Sequence, residues 1–311
     1  MDALVEHSLR TIRKGSKSFA LAAQLFAPRT REGAILLYAW CRHCDDVTDD
    51  QVLGFRSGRD LAASAEDRLA ALERETRRAL AGESVEEPAF AALQEVVRRH
   101  AIPERHPLEH LEGFAMDVAG ARPEGLDDCC RYCYHVAGVV GVMMAHVMGV
   151  RGEDEDTLDR ASDLGLAFQM TNVARDVMDD AAAGRVYLPT SWLRDAGVPP
   201  EEIAHPEHRS AVSSVTARLL DEAERYYASA RVGLARLPFR SAWAVATARR
   251  VYRDIGRLVR ERGPRAWDRR ARTGRPRKVL LAAAAAGDAL AARAWGRRDI
   301  PRDDLWQRPR G

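Results

Sequence analysis

Apolar residues recur at helical spacing along almost the whole chain, and this periodicity restricts the fold more than any other feature of the sequence. Runs of β-branched residues are short, whereas alanine and arginine, which favour helices, are abundant. We therefore predict an all-α fold, with residues 1–311 forming a single-domain helical bundle. The predicted helices are 3–14, 18–26, 31–53, 60–81, 87–100, 106–119, 126–149, 154–181, 209–235, 239–262 and 277–296.

The composition excludes several classes of protein. Hydrophobic residues make up 46% of the chain and charged residues 30%, which is the balance of a soluble globular protein. A net charge of +2 argues against a nucleic-acid binder. The N-terminus has no apolar signal region, and the stretch VAGVVGVMMAHVMGV (136–150) is shorter than the ~20 residues of a spanning helix. We expect a cytoplasmic protein.

The segment RERGPRAWDRRARTGRPRK (260–278) is rich in arginine and contains Trp267. One hypothesis is that it makes peripheral contact with a membrane surface, since cations and an aromatic ring suit the lipid headgroup region. The other is a solvated basic loop, which the sequence favours.

Four of the five cysteines form two C-x-x-C spacings, CRHC (41–44) and CRYC (130–133), which could be half-sites for a structural zinc ion. The five cysteines are Cys41, Cys44, Cys129, Cys130 and Cys133. Both pairs lie in helical sequence, which favours packed, reduced thiols over a zinc knuckle.

The stretch CRHCDDVTDD (41–50) crowds four aspartates at the end of an otherwise apolar helix. Asp45 and Asp49 are one turn apart and share a stripe with Tyr38 and Arg42. Such like charges repel by about 0.2–0.5 kcal/mol. Each carboxylate near a helix C-terminus also opposes the helix dipole by about 0.3–1 kcal/mol. We therefore predict that a cation lies against this face.

A second stretch, DLGLAFQMTNVARDVMDDAAAGRVYLP (163–189), repeats the pattern. Asn172, Asp176 and Asp180 follow one another at four-residue spacing, and Gly165 and Gln169 lie on the same stripe. If the two acidic stripes face each other, their oxygens make a site for Mg²⁺ or Mn²⁺, which in proteins also holds phosphate.

Basic and aromatic residues near these stripes indicate what the site binds. Lys17, Arg42 and Arg175 can hold phosphate oxygens, and the chain has no P-loop. Diphosphate is a good leaving group, and the carbocation that it leaves behind needs apolar, aromatic walls. The candidate aromatic residues are Phe19, Tyr38, Tyr132 and Phe168. The small residues Ala137, Gly138 and Gly141 either leave room for a long chain or allow close helix packing.

At this point the sequence resembles the squalene and phytoene synthases. The matching segments are SKSFA (16–20), YAWCRHCDDVTDD (38–50), LEGFAMDV (111–118), YCYHVAGVVG (132–141), LGLAFQMTNVARDVMDDAAAGRVYLP (164–189), VYRDIG (251–256), LPFRSAWAVATA (237–248) and LWQRP (305–309). They occur in order along nearly the whole chain. Gly15 stands where some relatives have a histidine.

The resemblance implies an isoprenoid-synthase fold with a central cavity and a prenyltransferase activity. The implied reaction joins two geranylgeranyl diphosphates head to head, through prephytoene diphosphate, to give phytoene in carotenoid biosynthesis. Asp45, Asp49, Asn172, Asp176 and Asp180 are the implied metal ligands. Lys17, Ser18, Arg42, Gln169, Arg175 and Tyr252 are the implied diphosphate-binding residues. Phe19, Tyr38, Tyr132, Ala137, Val140, Gly141 and Phe168 are the implied cavity wall.

Three alternatives stay open at this stage. A relative that acts on farnesyl diphosphate and gives a thirty-carbon product uses the same mechanism, and chain length depends on the depth of the pocket. A non-catalytic scaffold protein would have lost metal ligands, whereas all five expected positions are intact here. A zinc protein would use the cysteine pairs.

Overall fold

A computed structural model describes residues 4–6, 8–9, 23–48, 51–52, 55–56, 64–294 and 300–310. Most of these residues are helical, which agrees with the predicted all-α fold. The longer helices are α1 Pro28–Thr48, α2 Ala65–Leu80, α3 Pro88–His100, α4 Arg105–Val118, α5 Leu126–Cys133, α6 Val139–Val147, α7 Glu155–Ala182, α8 Thr190–Asp195, α9 Arg209–Gly233, α10 Phe239–Arg262 and α11 Arg275–Ala294. Single helical turns occupy Pro200–Glu202, Pro206–His208, Leu234–Arg236 and Gly263–Arg265.

The predicted helix 31–53 ends earlier than expected. Helix α1 ends at Thr48, whose hydroxyl donates to the Cys44 carbonyl at 2.8 Å. Two short antiparallel strands follow, β1 Gln51–Val52 and β2 Phe55–Arg56, with Val52 opposite Phe55. The periodicity of the sequence did not indicate this hairpin, because two-residue strands are too short to show an alternating pattern.

Helix α7 is central to the part of the chain that the structure describes, and it packs against α6, α9 and α10. Its contact with the preceding helix is close because three glycines lack a side chain. A Cβ on Gly165 would lie 2.3 Å from the Ala137 carbonyl oxygen, and one on Gly141 would lie 2.3 Å from the Ala161 carbonyl oxygen. A Cβ on Gly138 would lie 2.6 Å from Leu166 Cδ1. Substitution at these positions would therefore force the two helices apart.

Helices α5 and α6 are joined through a wider π-helical turn, Tyr134–Gly138, so the predicted helix 126–149 is present with a local change of pitch. The Tyr134 hydroxyl donates to Glu109 Oε2 at 2.7 Å, which ties this turn to α4. Such single π-turns occur often at functional sites. Here the turn precedes Val140 and Gly141 and adjusts which side chains face α7.

The C-terminal residues 300–310 pack along the first half of α7 through ion pairs. Arg302 donates to Asp163 Oδ1 at 2.9 Å and to Asp159 Oδ2 at 3.1 Å. The side chain of Arg308 is fully buried and bonds to Asp159 at 2.7 Å. The LWQRP ending therefore holds one end of the helix whose other end carries the second acidic stripe. None of the helices in the described ranges combines the length and apolar composition needed to cross a bilayer.

Candidate active site

A cavity of about 630 Å³ lies between α1, α6, α7, α10 and α11. One stripe of α7 lines it, at helical spacing, from Thr157 through Ala161, Gly165 and Phe168 to Asn172. The fifteen helical steps from Thr157 to Asn172 give the cavity a length of ~22 Å along α7. Most of its wall is apolar, and its polar residues include Asp45, Gln169 and Asn172. The cavity therefore suits a long apolar chain that carries a polar group.

The structure places nine of the site residues predicted from the sequence on this cavity wall. They are Tyr38, Asp45, Ala137, Val140, Gly141, Phe168, Gln169, Asn172 and Tyr252. Their catalytic and binding roles remain predictions. Lys17, Ser18, Phe19 and Asp49 lie outside the described residues.

Asn172 leaves a polar atom unsatisfied beside the cavity. Its Nδ2 donates to Gln169 Oε1 at 3.2 Å, while its Oδ1 is buried and has no hydrogen-bond partner within the described ranges. A buried acceptor without a partner is unfavourable by about 1–3 kcal/mol. A bound cation would satisfy this oxygen, which is the atom type that Mg²⁺ and Mn²⁺ prefer.

Asp176 continues the stripe beyond Asn172 and is held by two arginines. Arg175 donates to both carboxylate oxygens, and Arg270 Nη2 donates to Oδ2 at 2.7 Å. Burial by itself raises the pKa of Asp176, but these hydrogen bonds outweigh burial and keep the pKa below its ordinary value. Two guanidinium groups thus compensate a charge for which the sequence predicted a metal.

Asp180, one turn further, is less well compensated. Burial, followed by the neighbouring charge of Asp176, raises the pKa of the Asp180 carboxyl to about 7. Its stripe with Asp176 is therefore a site where an added cation would relieve both burial and repulsion.

On α1, Arg42 is paired with Asp46, through bonds of 3.0 Å from Nε and 2.6 Å from Nη2. Its Nη1 is 3.9 Å from Asp45 Oδ2, so it lies between the two aspartates. Burial raises the pKa of Tyr38, one turn earlier, to about 12. Asp46 has a role that the sequence left open, because it orients the arginine beside Asp45.

Tyr132 stacks on a second tyrosine. Its ring lies on that of Tyr187 at a centroid distance of 4.6 Å, while Val136, one turn further along the chain, lines the cavity. The Tyr132 hydroxyl donates to Asp117 Oδ2 at 3.3 Å, and the Tyr187 hydroxyl donates to Oδ1 of the same carboxylate at 2.8 Å. This hydrogen-bonded stack fixes the position of the Tyr132 ring, and its role at the cavity stays a prediction.

Two aromatic rings make a flat surface beside the α7 stripe. Phe168 stacks on Tyr252 with centroids 4.2 Å apart and planes 26° apart. Both line the cavity on its polar half. Their π-faces can stabilise a nearby carbocation by cation–π attraction.

The small residues Ala137, Gly138 and Gly141 leave space in the cavity at some positions and allow close helix packing at others. Ala137 and Gly141 line the cavity. Gly141 also permits close contact with α7. Gly138 is buried between Leu166 and Ser162, so the second of the two alternatives, close helix packing, holds for it.

The cysteines show packed thiols and no disulfide. Four of the five are buried, and burial raises the pKa of Cys41, Cys44, Cys130 and Cys133. Within the described ranges, one group of three ligand atoms lies close enough to share an ion, at Glu202, His205 and Glu207. That group is on a surface turn away from the cavity, and acidic groups of this kind are common without metal.

Sequence reasoning missed Asp117 and Arg270 as members of the site region. Asp117 lies within the LEGFAMDV segment, and Arg270 lies in the basic segment 260–278. Neither shares a helical stripe with the aspartate motifs, so local spacing carries no signal for them. Only the packing of α4 and of the segment after α10 brings them to the end of α7.

Comparison with known proteins gives consistent matches over the whole chain. The family model for squalene/phytoene synthase matches residues 12–277. A 15-cis-phytoene synthase from Pantoea ananas is 56% identical over 308 residues, covering 99% of this chain and 98% of that protein. A phytoene synthase from Pseudescherichia vulneris is 54% identical, covering 98% of each. A solved dehydrosqualene synthase superposes with a TM-score of 0.81 at 26% identity, covering 93% of this chain and 97% of that one.

Proposed function

Because the chain belongs to the squalene/phytoene synthase family, we propose that it joins two molecules of geranylgeranyl diphosphate head to head and releases phytoene and diphosphate. The observation that carries this proposal is the cavity, whose apolar wall follows α7 for ~22 Å and ends at Asp45 and Asn172. An apolar slot with carboxylate and amide oxygens at one end matches a long prenyl chain with a charged head. The high identity to relatives named phytoene synthases supports the same reaction.

The proposed cofactor is Mg²⁺ or Mn²⁺, held by Asp45, Asn172, Asp176 and Asp180 together with Asp49. The oxygen donors suit these hard cations, and Asn172 Oδ1 is a buried acceptor with no described partner. When bound, the metal supplies positive charge that stabilises the diphosphate as the carbon–oxygen bond breaks. Zinc is not favoured, because four of the five cysteines are buried thiols and, within the described ranges, no cysteine belongs to a group of three close ligand atoms.

The diphosphate is held, in this proposal, by arginines that already lie at the acidic end of α7. Arg175 and Arg270 bond to Asp176, and Arg42 lies between Asp45 and Asp46. Arginine forms bidentate bonds to phosphate as readily as to carboxylate. We infer that Arg270, which is partly exposed, exchanges its carboxylate for diphosphate oxygens when substrate binds. Gln169 and Tyr252, with Lys17 and Ser18 from the sequence, complete the proposed set.

The proposed reaction passes through carbocations, which the apolar wall of the cavity shields from water. In the first step the carbon–oxygen bond of one substrate breaks and its electron pair leaves with diphosphate. The double bond of the second substrate attacks the allylic cation, and loss of one proton closes the cyclopropane ring of prephytoene diphosphate. A second ionisation, a rearrangement and loss of another proton give phytoene. The Phe168–Tyr252 stack and the apolar wall stabilise these cations and keep water from them.

The proposed place of action is the cytoplasm, with peripheral contact to a membrane. The five unpaired cysteines agree with a reducing compartment. We also propose that residues 1–311 act as one domain, since α7 packs against helices from both halves of the chain.

Product analysis tests the function. The purified protein is incubated with Mg²⁺ and equal amounts of farnesyl and geranylgeranyl diphosphate, and the hydrocarbons are separated by chromatography. We expect phytoene as the main product, and a chelator should abolish it. A clear preference for the fifteen-carbon substrate, giving a thirty-carbon hydrocarbon, would instead establish the alternative. Formation of neither hydrocarbon would overturn the proposed reaction.

A further inference from the structure

The outward face of α11 is apolar although it is exposed. The structure describes four large apolar side chains that are exposed, and three of them lie on this helix: Val279 at 66%, Leu280 at 65% and Leu290 at 58%. Ala283, Ala284 and Gly287 are exposed between them. The one charged residue in this span, Asp288, turns inward and pairs with Arg250 at 2.6 Å. We call the surface formed by residues 279, 280, 283, 284, 287 and 290 the outer face of α11.

Positive charge is concentrated at the N-terminal end of this face. Residues 262–278 contain eight arginine or lysine residues and one aspartate. Arg272 and Arg275 are exposed, and Arg277 is half exposed while bonded to Asp254. An apolar helix face bordered by cations is the arrangement that lies in the headgroup region of an anionic bilayer.

The basic segment itself is not the apolar anchor. Trp267, the residue that suggested membrane contact from the sequence, donates its indole N–H to the Ala174 carbonyl at 3.1 Å and packs beside Val259 and Ala266. The Trp267 ring therefore packs against the protein and does not provide an apolar surface for lipid. The apolar surface available for lipid is one helix further along the chain.

The outer face of α11 adjoins the edge of the cavity. Lys278, Val279 and Ala282 line the cavity, while the Val279 side chain is 66% exposed. The cavity wall therefore continues onto the outer face at Val279. A substrate with a long apolar chain and a hydrocarbon product both prefer lipid to water, so passage at this edge avoids transfer through solvent.

We propose that the outer face of α11 lies on an anionic lipid surface, with Arg272 and Arg275 against the phosphates, and that prenyl chains pass between bilayer and cavity beside Val279. This docking gives a surface to the membrane contact of the proposed function; the passage of prenyl chains rests also on the proposed reaction, whereas the docking does not. Charge complementarity selects this occupant, because the exposed cations Arg272 and Arg275 border the apolar face and attract the phosphates of anionic lipid.

The test is co-flotation of the whole protein, without substrate, with vesicles of phosphatidylglycerol or of phosphatidylcholine. We expect binding to phosphatidylglycerol vesicles and a partition coefficient at least about tenfold lower for Leu280→Glu/Leu290→Glu, since each change places a charge in the apolar layer. The matched control, Ala70→Glu/Ala121→Glu, adds the same charge at exposed sites on other elements and should bind as wild type. Neither Leu280 nor Leu290 lines the cavity, so the variant should keep its activity on detergent-dispersed substrate.

A charge test accompanies it. Arg272→Gln/Arg275→Gln should lower binding to phosphatidylglycerol by about tenfold or more. Arg74→Gln/Arg98→Gln, which removes two exposed arginines from α2 and α3, should leave it unchanged. If the double glutamate variant is unstable, Leu290→Glu alone is measured.

Three results would overturn the docking proposal: no flotation of the wild type with phosphatidylglycerol, equal flotation of the double glutamate variant, or a wild-type dimer that this variant converts to monomers. Flotation without any hydrocarbon product would retain the docking and refute the proposed reaction.

Discussion

Arg270 donates a hydrogen bond to the Asp176 carboxylate at 2.7 Å across 94 residues of sequence. The contact joins the basic segment after α10 to the acidic end of α7. The Asp176 carboxylate, which the sequence predicted to be a metal ligand, is thus paired here with the guanidinium group of a flexible side chain. Because the Arg270 side chain is partly exposed, it can leave the carboxylate when a divalent ion and diphosphate bind.

The first prediction concerns this pair. Arg270→Gln should raise the KM for geranylgeranyl diphosphate by about tenfold, because one charge-assisted bond to the head group is lost. The melting temperature should change little, since Arg270 is 46% exposed and pairs of this kind contribute little to stability. Steady-state kinetics with calorimetry measures both. The neighbouring Arg269→Gln is the control, and an equal effect there would assign the change to general charge.

A second prediction separates catalysis from stability at Asp180. Asp180→Asn should lower kcat by at least about a hundredfold, because it removes a proposed metal ligand. It should not lower the melting temperature at pH 8 without metal, since burial and the charge of Asp176 both disfavour the ionised carboxyl. Adding Mg²⁺ should then stabilise the wild type and not the variant. A variant with full activity would contradict the metal site.

Two glycines offer a matched stability test. Gly141→Ala should lower the free energy of unfolding by about 1–3 kcal/mol, because the new Cβ would meet the Ala161 carbonyl oxygen at 2.3 Å. Gly287→Ala, in a helix with no atom within 4 Å of the new Cβ, should raise it by about 0.5–1 kcal/mol. Urea denaturation measures both. Equal effects would show that α6 and α7 are not in tight contact.

The C-terminal ion pairs should contribute to folding. Arg302→Met would leave Asp163, which is 1% exposed, without its arginine, and we expect a loss of about 3–5 kcal/mol in unfolding free energy. Arg310→Met, whose side chain is 57% exposed, should lose less than about 1 kcal/mol. Similar losses in the two variants would show that burial does not determine how much each ion pair contributes to the unfolding free energy.

The fifth prediction concerns pH. Burial, in both cases the main cause, lowers the pKa of His110 and His146 from 6.5 to about 4. The unfolded chain then binds more protons than the folded one between those values, so stability is full above pH 6.5 and falls as pH drops toward 4. The loss is up to about 3 kcal/mol per histidine.

Urea denaturation at several pH values checks this linkage. His110→Leu should give a flatter pH profile between 6.5 and 4 than the wild type, because it removes one of the two groups. His205→Leu, at a surface histidine that is 56% exposed, is the control and should keep the wild-type profile. An unchanged profile in His110→Leu would show that this imidazole is protonated in the folded protein.

The sequence predicted much of the local structure. Helix 239–262 matches α10, and the predicted helices 154–181 and 209–235 differ from α7 and α9 by at most two residues at either end. The stripe of Gly165, Gln169 and Asn172 lines the cavity as helical spacing requires. These features are local, because residues three or four apart on a helix share a face whatever surrounds the helix.

What the sequence did not predict are contacts between distant segments. No local spacing indicates that Tyr132 stacks on Tyr187 and bonds to Asp117. For Gly138 the sequence left two alternatives open, and the nearness of Leu166 and Ser162 favours close helix packing. Helical spacing says which residues share a face but not which other helix covers it.

The sequence by itself therefore determined the fold class, the family resemblance and the two acidic helix ends, since each follows from residue types at short spacing. Only the tertiary structure decided which distant groups meet: Arg270 bonds to Asp176, the Tyr132–Tyr187 pair to Asp117 and the C-terminal arginines to α7, while the outer face of α11 is exposed. The physical reason is that burial and ion pairing depend on segments that are far apart along the chain. The packing of whole helices, which no local spacing encodes, brings those segments together.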